Sequence, residues 1–212
     1  MTNLSDSTLA FCDWSGVISD DRRIVYEANA RMIKRYGLKP ISYEQWLGTV
    51  TASVREWFEE AGIKASAEEL YSLYEKSFQE NLDEGMAPTI YPDASAFLAH
   101  VSATRPVAII SAHPEQFLRA EGDGYNVSQY IETYVGSSRN KVDAMQKILT
   151  EKGLSGKEAF LVGDTLYDIR AAKEAGVFSV GITTGYHPRE KLAAESPDAL
   201  VDSLTELAEL LS

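Results

Sequence analysis

From Ile90 onward, short runs rich in β-branched and aromatic residues alternate with amphipathic segments. The runs are VAII at 107–110, TYV at 133–135, AFLV at 159–162, FSVGI at 178–182 and ALV at 199–201. Between them fall Pro114–Glu121, Lys141–Lys152, Tyr167–Ala175 and Arg189–Ala194, and a last helical segment closes the chain. Connections of helix length cannot be hairpins. They set successive strands parallel, and a parallel sheet needs helices on both faces. Thr8–Cys12 (TLAFC) reads as one more buried strand, but no crossover of normal length follows it. Instead Val25, Ala28, Met32 and Tyr36 share one helical face, and Gly37 suits a C-terminal cap. Ser42–Gln45 and Ser66–Glu69 read as capping boxes. Val54–Ala61 has helical character and ends at Gly62.

The expectation is an α/β protein: a doubly wound parallel-sheet (Rossmann-like) core with an inserted all-helical cap domain. Residues 1–20 and 88–212 form the core and 21–87 the cap. In such a sheet the ligand lies beyond the carboxyl ends of the strands. Twenty Lys+Arg against 32 Asp+Glu leave a formal charge of −12. That disfavours nucleic acid or an anionic membrane as partner. It allows an anionic small molecule, because a bound cation can reverse the local field. The single cysteine, Cys12, cannot form an internal disulfide. No apolar run reaches about 18 residues, and Met1–Thr8 is polar without a basic region. A cytoplasmic protein is expected.

Candidate chemistry sits just after the expected strands. Asp13 follows the first strand in FCDWSGVISD, and Ser111 and Ala112 follow VAII. Lys141 opens a helix after TYVGSSRN, and Asp164 and Asp168 lie in FLVGDTLYDI. Taken singly, each acid or serine is most simply a cap or turn residue, and the lysine a solvated one. The order Asp, Ser, Lys, GDxxxD at the strand ends of one sheet is much harder to reach by accident. A phosphate dianion repels a carboxylate nucleophile, and a divalent cation shared by Asp13 and Asp164 would remove that repulsion. Mg²⁺ suits a site with two or three carboxylates. Ser111 and Lys141 would hold the non-bridging oxygens while Asp13 attacks in line.

On these segments the chain resembles the haloacid dehalogenase-like hydrolase superfamily, in its phosphoglycolate-phosphatase-like branch with a helical cap. FCDWSGVISD matches the first motif, IISAH the second, Lys141 the third and VGDTLYDIRAAKEAG the fourth. GITTGYHPREKL and DALVDSLTEL resemble the ends of such phosphatases. The resemblance implies a Mg²⁺-dependent phosphohydrolase of a small phosphorylated metabolite that forms an aspartyl-phosphate on Asp13. It implies metal ligands in Asp13, the Ser15 carbonyl and Asp164, with Asp168 ordering the metal's shell. Ser111, Ala112 and Lys141 would bind the phosphate.

The first motif departs from the family at Ser15, where phosphatases usually carry the acid/base aspartate. General acid–base catalysis is worth about 10²–10⁴-fold, so turnover is expected to be slow unless another group replaces that acid. His113 is a candidate donor. DWSG also resembles DWAG of phosphonoacetaldehyde hydrolases, which suggests C–P cleavage as an alternative, but their cap lysine position aligns with Thr51. A metal- and phosphate-binding protein with little turnover is the remaining alternative. Within the cap, Arg22, Arg23, Arg31, Arg55, Trp46 and Trp57 could meet a metabolite.

Overall fold

In the computed structural model, residues 3–47, 58–60, 62–138 and 140–212 are described. The chain divides into two compact units, Met1–Asp20 with Ile90–Ser212, and Asp21–Thr89.

The larger unit is built on β1 (Leu9–Cys12), and β2 (Ser19–Asp20) follows closely. After the smaller unit come β3 (Thr89–Ile90), β4 (Val107–Ile110), β5 (Thr133–Val135), β6 (Ala159–Gly163), β7 (Phe178–Ile182) and β8 (Ala199–Val201). Six strands form one sheet in the order β5-β4-β1-β6-β7-β8, and every pair is parallel. This is the expected doubly wound, Rossmann-like sheet. Both of its faces are buried, which explains why the strands read as continuous apolar runs. Ala10, Cys12, Ile109, Phe160 and Val162 pack on one side, and Leu9, Phe11, Ala108, Ile110 and Leu161 on the other. The strand order reverses at β1, so the crevice beyond Cys12 is where a ligand would sit. The short sheet β2-β3 was not expected. Two-residue strands carry no readable alternation.

The smaller unit contains α1 (Arg22–Arg35), α2 (Tyr43–Leu47) and α3 (Ala67–Asp83). Gly37 follows the end of α1 with φ +74°, a conformation that suits glycine. The Ser42 box forms in both directions, Gln45 N donating to Ser42 Oγ and Ser42 N to Gln45 Oε1. Ser66 Oγ accepts from Glu69 N at the start of α3. Asn81, fully buried on α3, donates to the Ile24 carbonyl and accepts from Arg31 Nε at 2.5 Å. Of the expected helix at Val54–Ala61, only Phe58–Glu60 are described, and they are helical. Among the described residues, no helix is long and apolar enough to cross a membrane.

Candidate active site

β1 ends at Cys12 and delivers Asp13, whose amide donates to the Val162 carbonyl of β6 at 2.9 Å. β4 ends at Ile110 and delivers Ser111, whose amide donates to the Val135 carbonyl of β5 at 3.0 Å. β6 ends at Gly163 and delivers Asp164. Three neighbouring strands thus present three of the expected residues at one edge.

Lys141 and Asp168 arrive through helix starts. The Asn140 side chain accepts from Val142 N and Asp143 N, which fixes Lys141 as the first residue of the helix Lys141–Lys152. Thr165 and Asp168 form a reciprocal capping box at the start of the helix Leu166–Ala175. Gly163 makes room for this turn, because a Cβ there would lie 2.3 Å from Asp168 Cβ.

The resulting arrangement is tight. Lys141 Nζ lies 2.8 Å from Asp13 Oδ2 and 2.6 Å from Asp168 Oδ1. Carboxylate oxygens of Asp13, Asp164 and Asp168 lie within 4.8 Å of one another. All three acids are buried. Burial pushes the carboxyl pKa of Asp13 up, against the pull of Lys141. Burial pushes Asp164 well up too, and the charges of Asp13 and Asp168 add to it. For Lys141, burial alone would lower the pKa, but Asp13 and Asp168 outweigh it and keep the ammonium charged.

The donor set fits a hard divalent cation. Asp164 Oδ2 accepts the Tyr186 amide at 2.6 Å, whereas buried Asp164 Oδ1 has no hydrogen-bond partner. A buried carboxylate oxygen without a partner is costly, and a cation would satisfy it. Three acids facing one lysine leave negative charge that such an ion would offset. Asp168 stands apart within this set. Its Oδ1 takes Lys141 and its Oδ2 takes the Thr165 amide at 3.0 Å and hydroxyl at 2.5 Å. Both oxygens are therefore committed to positioning.

Of the other expected residues, Ser15, Ala112 and His113 lie in the segments just after Asp13 and Ser111. Ser15 lies half-buried in the turn after Asp13, bridged to Ser19. Ser111 Oγ accepts the His113 amide at 3.3 Å, and Ala112 between them is exposed. His113 is buried, with Nε2 3.3 Å from Glu121 Oε1. In the smaller unit, the Arg31 guanidinium is held by Asn81 and Glu84, and Trp46 is buried. Arg23 lies over the rings of Tyr26 and Tyr43. Thr51, Arg55 and Trp57 lie outside the described residues.

One supporting loop carried no role in the sequence reading. After β7, a Cβ on Gly185 would lie 1.9 Å from Asp164 Oδ2, and one on Gly16 2.3 Å from the same atom. His187 Nδ1 accepts the Leu166 amide at 3.1 Å, and the His187 amide reaches the Asp164 carbonyl. The loop therefore cups Asp164 from behind. No local spacing around Gly185 or His187 announces that role.

The family description of haloacid dehalogenase-like hydrolases matches residues 12–182. A phosphoglycolate phosphatase of Pseudomonas putida is 26% identical over 214 residues, covering 94% of this chain and 78% of that protein. One from Vibrio parahaemolyticus is 29% identical over 130 residues, 58% of this chain and 57% of that protein. In that second case the matched part is little more than half of either length. A haloacid dehalogenase-like hydrolase of Streptococcus pneumoniae superposes with a TM-score of 0.82 at 18% identity, over 99% of this chain and 100% of that one. At that identity the likeness speaks for the fold alone. The strand-end acids, the lysine and the family match agree: the chain belongs to the haloacid dehalogenase-like hydrolases, in the branch that holds the phosphoglycolate phosphatases.

Proposed function

We propose that this protein is a Mg²⁺-dependent phosphatase of a small phosphorylated metabolite, with Asp13 as nucleophile. One observation carries the reading: Lys141 Nζ bridges Asp13 and Asp168, while Asp164 Oδ1 beside them is buried without a partner. Asp13, Asp164 and the Ser15 carbonyl would hold the metal, whose part is to screen the phosphate from the carboxylates and polarise the phosphorus. Asp168 acts through Lys141 and the capping box.

The chain's own residues account for the rest. The Trp14 amide donates to Asp13 Oδ1 at 2.7 Å and fixes the carboxylate's orientation. The Ser111 hydroxyl accepts the His113 amide, which leaves its O–H to donate to a phosphoryl oxygen. Lys141 and the backbone at Ala112 complete the oxyanion contacts. A bond forms between Asp13 and phosphorus as the bond to the leaving oxygen breaks. That oxygen collects its proton from water, because Ser15 cannot supply one near neutral pH. Water then cleaves the aspartyl-phosphate, also without an aspartate base at position 15, so hydrolysis of the phosphoenzyme is the slow step.

The relatives' name makes 2-phosphoglycolate the first ester to test. Rapid quench with Mg²⁺ and either 2-phosphoglycolate or an activated aryl phosphate should give a stoichiometric burst of leaving group, then slow phosphate release. Asp13→Asn and chelation should each abolish the burst. A burst that survives either treatment overturns the reading. The phosphonate alternative turns on position 51, and Thr51 lies outside the described residues.

A further inference from the structure

Glu121 sits on the helix Glu115–Gly124, one position that neither the motifs nor the proposed chemistry uses. Its side chain is only 10% exposed, yet three polar groups converge on it. Trp14 Nε1 donates to Oε2 at 2.6 Å, Ser19 Oγ donates to the same oxygen at 2.9 Å, and His113 Nε2 faces Oε1 at 3.3 Å. Tyr125, one turn on, stacks on Trp14 at 6.1 Å and shares the Ser19 hydroxyl.

The partners come from two different strand-end segments. Trp14 directly follows Asp13 and its amide holds Asp13 Oδ1. His113 directly follows the Ser111–Ala112 pair, and its amide holds Ser111 Oγ. The same residue that anchors the Trp14 indole therefore also sets its second oxygen 3.3 Å from the imidazole beyond Ser111. We propose that Glu121 is a positioning residue that locks the Asp13 carboxylate and the Ser111 hydroxyl into one geometry, acting through Trp14 and His113. The inference rests on the phosphatase reading for its kinetic consequence, though not for the coupling itself.

The chemistry explains why a carboxylate stands there. A tryptophan indole can only donate, as can the Ser19 hydroxyl towards this oxygen, so the central group must accept. A charged acceptor makes these bonds short and strong in a water-poor setting. Removal of the carboxylate leaves the indole N–H buried without a partner, and frees Trp14 to shift. A displacement of about 1 Å at a reacting group costs on the order of 10²-fold in rate.

The test compares Glu121→Ala with Glu121→Gln in the full chain, by kinetics and by amide resonances in ¹⁵N-labelled protein. Glutamine keeps an oxygen for Trp14 and Ser19 and offers an N–H to His113. Glu121→Ala should lower kcat by about 10- to 100-fold with KM little changed, and Glu121→Gln should recover most of that loss. In the same Glu121→Ala protein, the backbone amides of Trp14 and His113 should both move. Folded Glu121→Ala with wild-type kcat, or with only the indole resonance displaced, overturns the proposal. If the wild type hydrolyses no phosphate ester, the functional reading fails, and the paired amide shifts still decide the coupling. Should Glu121→Ala not fold, Trp14→Phe keeps the ring on Tyr125 and deletes the N–H. It should move the Asp13 and His113 amides, and unmoved amides overturn the proposal.

Discussion

Asp168 holds Lys141: Oδ1 takes the ammonium at 2.6 Å, while Oδ2 accepts from the Thr165 amide and hydroxyl. The fourth-motif acid thus sets the angle at which Lys141 reaches Asp13 Oδ2. Asp168→Asn keeps the shape but removes the charge that offsets the buried ammonium. Lys141→Met deletes the proposed phosphate donor outright, and loss of one such donor costs about 10²–10³-fold in kcat. The expected order in steady-state assays is therefore wild type above Asp168→Asn, with Lys141→Met slowest. An Asp168→Asn protein as slow as Lys141→Met would mean that Asp168 touches the reacting groups itself.

Gly16 and Gly185 leave the space that Asp164 occupies. A Cβ at either would fall within 2.3 Å of Asp164 Oδ2, and Gly16 also has φ +76°. Mg²⁺ at 100 times its dissociation constant would raise wild-type stability by about 2.7 kcal/mol, which thermal scans detect. Gly185→Ala should fold with a lower Tm and lose most of this Mg²⁺-dependent rise, because Asp164 must swing aside. A full Mg²⁺ response in Gly185→Ala would remove Asp164 from the metal site.

Ser15 is the one departure with a rate attached. Ser15→Asp supplies a carboxyl that can protonate the leaving oxygen and later take a proton from water. Phosphate release after the burst should quicken by about 10²-fold, within the usual range for general acid–base catalysis. The introduced carboxylate adds charge beside Asp13, so the comparison belongs at saturating Mg²⁺. Unchanged or slower release would show that the missing acid is not what limits the wild type.

On the exposed side of the larger unit, Arg170 grips Glu195 with two hydrogen bonds, at 3.0 and 2.6 Å. The Arg170 hydrogen bonds lower the Glu195 pKa; burial opposes them, and the charges of Arg170 and Lys173 add to the lowering. A lowered carboxylate pKa means that the stabilisation is present above the unfolded value near 4.5 and is lost as pH falls through the folded value. Tm of Glu195→Gln should therefore fall below wild type at pH 7, by no more than about 1–2 °C for an exposed pair. The two should converge once pH has fallen below the lowered value of the folded carboxyl. A gap that persists there would assign the loss to packing instead of charge.

The parallel sheet was readable because burial on both faces removes polar residues from the strands, so VAII, AFLV and FSVGI stand out against their helices. Asp13, Ser111 and Asp164 were readable because each directly follows such a run. Glu121, Gly185 and His187 were not. Much of their importance lies in contacts across 21 or more residues, as with His187 and Leu166 or Trp14 and Glu121, and nothing in local spacing announces them. Asp168 read as a metal-ordering acid, and it does stand in the group of three acids that could hold an ion; what the sequence did not announce is that its oxygens also meet Lys141 and Thr165. A motif records which residue stands at a position, not which of its atoms are already occupied.

Cys12 separates burial from reactivity beside the proposed nucleophile. It is the last residue of β1, fully buried, and burial, aided by the charge of Asp13, pushes its thiol up to about 12. Thiolate, not thiol, is the attacking form in alkylation. Native protein at pH 8 should therefore resist iodoacetamide for as long as it stays folded, and should be labelled once in denaturant. Because Cys12 packs in the same apolar layer as Ala10 and Ile109, Cys12→Ser would place a hydroxyl among hydrocarbon groups. Its cost should be about 1–3 kcal/mol by urea unfolding, and Cys12→Ala, which buries no polar group, should cost less. Rapid labelling of the folded wild type would show that the end of β1 opens on its own, and that the Asp13 segment is less firmly seated than its hydrogen bonds suggest.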